Sequence, residues 1–145
     1  MNKIIISLYE LKLKTFTEQD VLDYCLLNNI NYDSIKELIL YKNELTDISG
    51  IKLFKNLEYL NIEYNKITDI IILKNLKKLE ILYLQNNQIT DISVIKYLTE
   101  LQSLSITNLE LKSDQIQYIK SLKKLKYLGA FGGFKDKSIL NDFLL

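Results

Sequence analysis

Aliphatic residues recur along this chain with a fixed period. Ile35, Leu57, Leu79 and Leu101 stand 22 residues apart. Three residues after each come Leu38, Leu60, Leu82 and Leu104, and five after come Leu40, Ile62, Leu84 and Ile106. Eight after come Asn43, Asn65 and Asn87, then Leu109; ten after come Leu45, Ile67, Ile89 and Leu111. The first three repeats continue with Ile48, Ile51 and Phe54, with Ile70, Leu73 and Leu76, and with Ile92, Ile95 and Leu98. Self-similarity of this kind is the signature of a repeat architecture. The fourth repeat slips: Ile116, Ile119 and Leu122 arrive two places late, and a degenerate fifth repeat starts at Leu125 with Leu128 and Ala130.

Each unit contains two local patterns. The alternating Leu-x-Leu suits a short strand with one buried face. The later three-residue spacing, Ile70, Leu73 and Leu76 for instance, suits a helical turn. A single unit cannot offset the entropy of ordering its own backbone, so neighbouring units must share a core. Asn43, Asn65 and Asn87 fall at the tight turn after the strand, where an inward amide must find backbone partners. They are read as structural.

The stretches LEYLNIEYNKITDI, LEILYLQNNQITDI and IKELILYKNELTDI resemble leucine-rich repeats of the 22-residue class, as in internalins and protein-phosphatase regulatory subunits, over residues 35–134. The resemblance implies a right-handed α/β solenoid of about five repeats. It would have a concave parallel β-sheet and short convex helices or 3-10 turns, and the residues before the repeats are expected to form a helical N-terminal cap. One domain over 1–145 is expected, with 1–34 as N-terminal cap, 35–134 as repeats and 135–145 as C-terminal cap. The two-residue insertion should lengthen the convex loop near Lys112, Ser113 and Asp114.

In the N-terminal segment Thr17 can cap a helix, with Asp20 three residues later. Val21, Leu22, Cys25 and Leu26 then form one apolar face, on which Cys25 reads as a small core residue. The segment from Ile4 to Leu13 suits either a further helix or an added strand. Residues Ser138 to Leu145 suit a short closing helix.

Composition removes most chemistry. Nineteen basic residues, all lysine, oppose 18 carboxylates for a net charge of +1, and there is no His, Trp or Pro and one Cys. Without His there is no imidazole base or metal ligand. One Cys allows neither an internal disulfide nor a cysteine zinc site. The sequence Gly-Ala-Phe-Gly-Gly-Phe-Lys at 129–135 lacks the spacing of a phosphate loop. Asp47, Asp69 and Asp91 recur where orphan amides of a helical turn need acceptors. Lys52, Lys74 and Lys96 recur at its far end, as the helix dipole favours. Glu37 and Glu63 lie about 14 Å apart on strand geometry, too far for a pair of hydrolytic carboxylates. No enzyme, cofactor or metal is expected. No apolar run approaches the length of a membrane span. The apolar stretch after Met1 is too short for a secretory core, so a cytoplasmic location is expected.

The remaining signal lies on the concave side, where the side chains between the buried leucines point. The candidate partner-binding residues are Ile39, Tyr41, Tyr59, Asn61, Glu63, Tyr64, Ile81, Tyr83, Gln85, Ser103, Ser105, Thr107, Tyr127 and Phe131. Aromatics with few charges typify a protein-binding patch. Ser103, Ser105 and Thr107 suggest a shallow trough between Ile81 and Tyr83 on one side and Tyr127 and Phe131 on the other. The expected function is a non-catalytic protein-recognition module or adaptor. Alternatives are an extracellular internalin-like adhesin fragment and RNA or anionic-surface binding through the lysine edge. The balanced charge argues against nucleic acid as the main partner. An exposed aromatic face also allows a homodimer.

Overall fold

The 22-residue period becomes a stack of coils. In the computed structural model, which describes residues 4–136, six strands form one parallel sheet in chain order. They are β1 (Ile4–Ser7), β2 (Ile35–Ile39), β3 (Tyr59–Asn61), β4 (Ile81–Tyr83), β5 (Ser103–Ser105) and β6 (Tyr127–Gly129). Leu38, Leu60, Leu82, Leu104 and Leu128 sit opposite one another across β2 to β6, and Ile6 of β1 joins the row opposite Leu38. Leu38, Leu60 and Leu82 are fully buried, so the row is the spine of the core. Because side chains alternate along a strand, this register also aligns every concave residue with its counterpart.

The convex side is built from 3-10 turns at Ser49–Leu53, Ile71–Asn75 and Ser93–Tyr97. Amides of Ile51 and Phe54 donate to the carbonyls of Ile48 and Ile51, a three-residue step that turns each aliphatic of the triplet inward. Asp47, Asp69 and Asp91 each accept, through Oδ1, the amide two residues on, at 2.8, 2.7 and 2.7 Å. They hold the chain at the entry to the turn. In the fourth repeat the insertion forms regular structure and not a loop: a 3-10 turn at Ser113–Gln115 runs into α2 (Ile116–Lys120).

The N-terminal segment is a strand and a helix, not helix alone. β1 extends the sheet, and α1 (Glu18–Leu27) carries a Thr17 capping box with Asp20. Of the expected apolar face only Val21 and Cys25 are buried; Leu22 and Leu26 are exposed. Residues four apart share a line on the helix, and α1 meets the core along that line, with Tyr24 packed partly beside it. Phe16, just before the cap, packs on Phe54 at a ring separation of 6.3 Å. The helix expected at Ser138 to Leu145 lies outside the described residues.

Asparagine amides tie the coils together. Asn65 Oδ1 accepts the amide of Leu45 in the preceding coil, and its Nδ2 donates to the carbonyls of Leu40 and Ile62. Asn43 repeats the scheme with Leu13 and Leu8, and Asn87 with Ile67 and Ile62. Among the described residues no buried side-chain nitrogen or oxygen lacks a partner. Leu109 occupies the fourth rung and has no oxygen to offer the amide of Ile89.

Candidate functional site

The pleat and the register lay out the concave surface as a grid. From β1 to β6 its rows are Ile5 and Ser7; Glu37 and Ile39; Tyr59 and Asn61; Ile81 and Tyr83; Ser103 and Ser105; Tyr127 and Gly129. Two residues further along each chain a third column adds Tyr9, Tyr41, Glu63, Gln85, Thr107 and Phe131. Lys42, Tyr64, Asn86 and Asn108 follow at the rim with φ between 54° and 58°, the left-handed conformation that bends each strand into its coil.

Rings organise the N-terminal half. Tyr9 stacks on Tyr41 at 5.3 Å, and Tyr41 meets Tyr64 edge-on, also at 5.3 Å. Tyr59 and Tyr83 form a second edge-on pair at 5.7 Å. Offset and edge-on pairs at these distances are favourable ring geometries. Burial holds the hydroxyl pKa values of Tyr41 and Tyr59 above their ordinary value. The neighbouring ring and Glu63 add to both effects, Lys42 opposes the first, and the Asn61 side chain opposes the second.

The candidate residues are not equally accessible. Ile39, Tyr41, Tyr59, Ile81, Tyr83, Gln85, Ser103 and Thr107 are half-buried, and Tyr64 is exposed. Tyr127 and Phe131 are the most open, at 71% and 81%. Asn61, Glu63 and Ser105 face the same side but are buried, low among taller neighbours. Asn61 Nδ2 donates to Glu63 Oε2 at 3.0 Å, and Asn61 Oδ1 accepts the Glu63 amide at 3.0 Å. Burial pushes the Glu63 carboxyl above its usual range, and the Asn61 bond offsets part of that. Ser105 donates to Gln85, which covers one side of the serine trough. Across the trough, Gly129 has no side chain, and a Cβ there would come within 3.0 Å of Ser105 Oγ.

Of the two alternatives for Ile4 to Leu13 the structure shows the added strand, which brings Ile5, Ser7 and Tyr9, absent from the candidate residues, onto the face. A signal was present: Ile6, Leu8, Leu13 and Phe16 repeat the spacing of Leu38, Leu40, Leu45 and Ile48 at an offset of 32.

Lysines pair with carboxylates at several positions around the solenoid. Lys36 pairs with Glu58 at 2.6 Å, Lys66 with Glu44 at 2.9 Å, Lys52 with Glu18 and Lys124 with Glu100. Lys96 lies over the rings of Tyr97 and Tyr118. Among the described residues no group of three His, Cys, Asp or Glu side chains could hold a metal ion. No described helix is long and apolar enough to cross a membrane.

Two family models match the chain, "Leucine rich repeat" over residues 33–89 and "Leucine Rich repeats (2 copies)" over 77–116. No curated protein matches it significantly. Solved structures do. An internalin (inlF) of Listeria monocytogenes is 33% identical over 74% of this chain, with a TM-score of 0.67. Internalin C2 of the same species is 22% identical over 86%, with a TM-score of 0.73. The LRR ectodomain of the receptor kinase SOBIR1 from Arabidopsis thaliana is 24% identical over 90%, with a TM-score of 0.63, and shares the fold. The chain spans 32% and 50% of the two internalin structures and 68% of the ectodomain. Matched repeat models, coils in shared register and a six-stranded parallel sheet together show that this chain belongs to the leucine-rich repeat proteins.

Proposed function

We propose that the protein is a non-catalytic recognition module that binds a protein partner on its concave sheet. Leucine-rich repeat proteins generally mediate protein–protein interaction. The observation that carries the reading is the aromatic surface from Tyr9, Tyr41 and Tyr64 through Tyr59 and Tyr83 to the exposed Tyr127 and Phe131. Large, stiff rings with polar tips bury much area at small entropic cost, the profile of binding hot spots. Capture from the native host tests it. Tyr83→Ala and Tyr127→Ala should each weaken retention of one defined partner by about tenfold or more, as hot-spot truncations do. The Tyr127 exchange should leave the melting temperature unchanged, and Lys74→Ala on the convex side should leave capture unchanged. Full retention by both tyrosine variants refutes the assignment.

A second reading, an extracellular adhesin-like role, draws on the 33% identity with an internalin. It would use the same face, and fractionation of the producing cells separates it from an adaptor inside the cell.

A further inference from the structure

Glu63 is the one buried charged side chain among the described residues, 7% exposed. Elsewhere in this solenoid a carboxylate commonly meets a lysine from the neighbouring coil: Glu10 with Lys42, Glu44 with Lys66, Glu58 with Lys36, Glu100 with Lys124. Glu63 meets the amide of Asn61 instead. An ionised carboxylate taken out of water is costly unless a cation and hydrogen bonds compensate it, and an amide compensates only in part. The surroundings suit a cation. In the grid Asn61 lies beside Tyr83 and follows Tyr59, and Glu63 shares its column with Tyr41 and precedes Tyr64; ring faces attract cations. The concave grid contains Glu37 and Glu63 but no lysine, and Lys42, in the rim column with Tyr64, is paired with Glu10.

We propose that Glu63, with Asn61 and the rings of Tyr41, Tyr59, Tyr64 and Tyr83, is a receptor site for an arginine side chain of the protein partner. The inference rests on the concave-face reading above and names what that face selects. Arginine fits better than lysine: its guanidinium is weakly hydrated, stacks flat on rings and can donate to a carboxylate and a hydroxyl together. Tyr64, the most exposed ring of the wall, gives way as the guanidinium enters. None of these 145 residues is arginine, so the group has to come from outside them.

Short blocked peptides test the site in the intact protein. The probes are acetyl-Gly-Ser-Arg-Ser-Gly-amide and its lysine and citrulline twins, followed by amide NMR titration. The arginine peptide should shift the Asn61 side-chain amide and the Glu63 backbone amide. It should bind about tenfold more tightly than the neutral citrulline twin, with lysine between them. Glu63→Gln should bring arginine and citrulline to within about twofold without lowering the melting temperature, and Tyr64→Leu should weaken arginine binding about threefold. Equal binding of arginine and citrulline, discrimination that survives Glu63→Gln, shifts elsewhere, or no binding by any peptide overturns the proposal. Peptides that shift Tyr59 and Tyr83 without preferring charge overturn the arginine site and leave the concave reading standing. That reading falls only on the Tyr83→Ala and Tyr127→Ala capture.

Discussion

At the scale of single residues, Glu63 sets an unusual balance. In the unfolded chain its carboxyl titrates near the ordinary value of 4.5; in the fold, burial raises it. The native state therefore keeps the proton to higher pH than the unfolded state, and stability falls as pH climbs from 4.5 through the raised folded value. Glu63→Gln preserves the acceptor for Asn61 and removes the charge. Its melting temperature should exceed the wild type's at pH 7, and the advantage should shrink towards zero as pH falls to about 4.5. Thermal scans across that range check the sign; a variant less stable at pH 7 contradicts it. The side of the sheet on which Glu63 lies was legible, because strand alternation fixes it. Its burial was not. That depends on the height of the neighbouring rings, Tyr41 just after β2 and Tyr83 on β4, which no local pattern encodes.

At the scale of elements, the repeats were readable because each keeps a full set of buried columns, and the first coil was obscured because it does not. Leu11 stands where the later coils place their asparagine and is 58% exposed, and α1 stretches the unit to 32 residues. The cost of seating α1 shows at Gly50. Equivalent positions in the next two coils hold Ile72 and Val94, yet a Cβ on Gly50 would lie 2.3 Å from the Thr17 carbonyl oxygen. The Gly50 amide donates to the Phe16 carbonyl at 2.8 Å, so the two backbones touch. Gly50→Ala should destabilise the protein by about 1–3 kcal/mol, as overpacking does. Hydrogen exchange should quicken in β1 and α1 while β4 keeps its protection. Uniform protection in the variant would show that the contact has slack. Whether the insertion after Leu111 would form loop or helix was equally illegible: two extra residues suit either, and packing of Ile119 and Leu122 into the core decides.

At the scale of the molecule, stability is a sum of nearest-neighbour interfaces. The asparagine rungs and the strand ladder are the directional parts of each interface, and the packing of the leucine row is not directional. Asn65→Ala orphans the Leu45 amide and leaves the Leu40 and Ile62 carbonyls with only the Asn43 and Asn87 donors, and should cost about 1–3 kcal/mol in urea unfolding. An unchanged midpoint would show that these groups find other partners. The rungs stop at Leu109. Across that joint the coils are held by strand pairing and apolar packing, with side-chain bonds from Asn108 to Asn86 at 2.9 Å, from Ser105 to Gln85 and from the Ile92 amide to Gln115. A load pulling along the stack would concentrate at that joint. The last turns would peel away as a unit, while the stitched coils that carry the tyrosine wall stay whole.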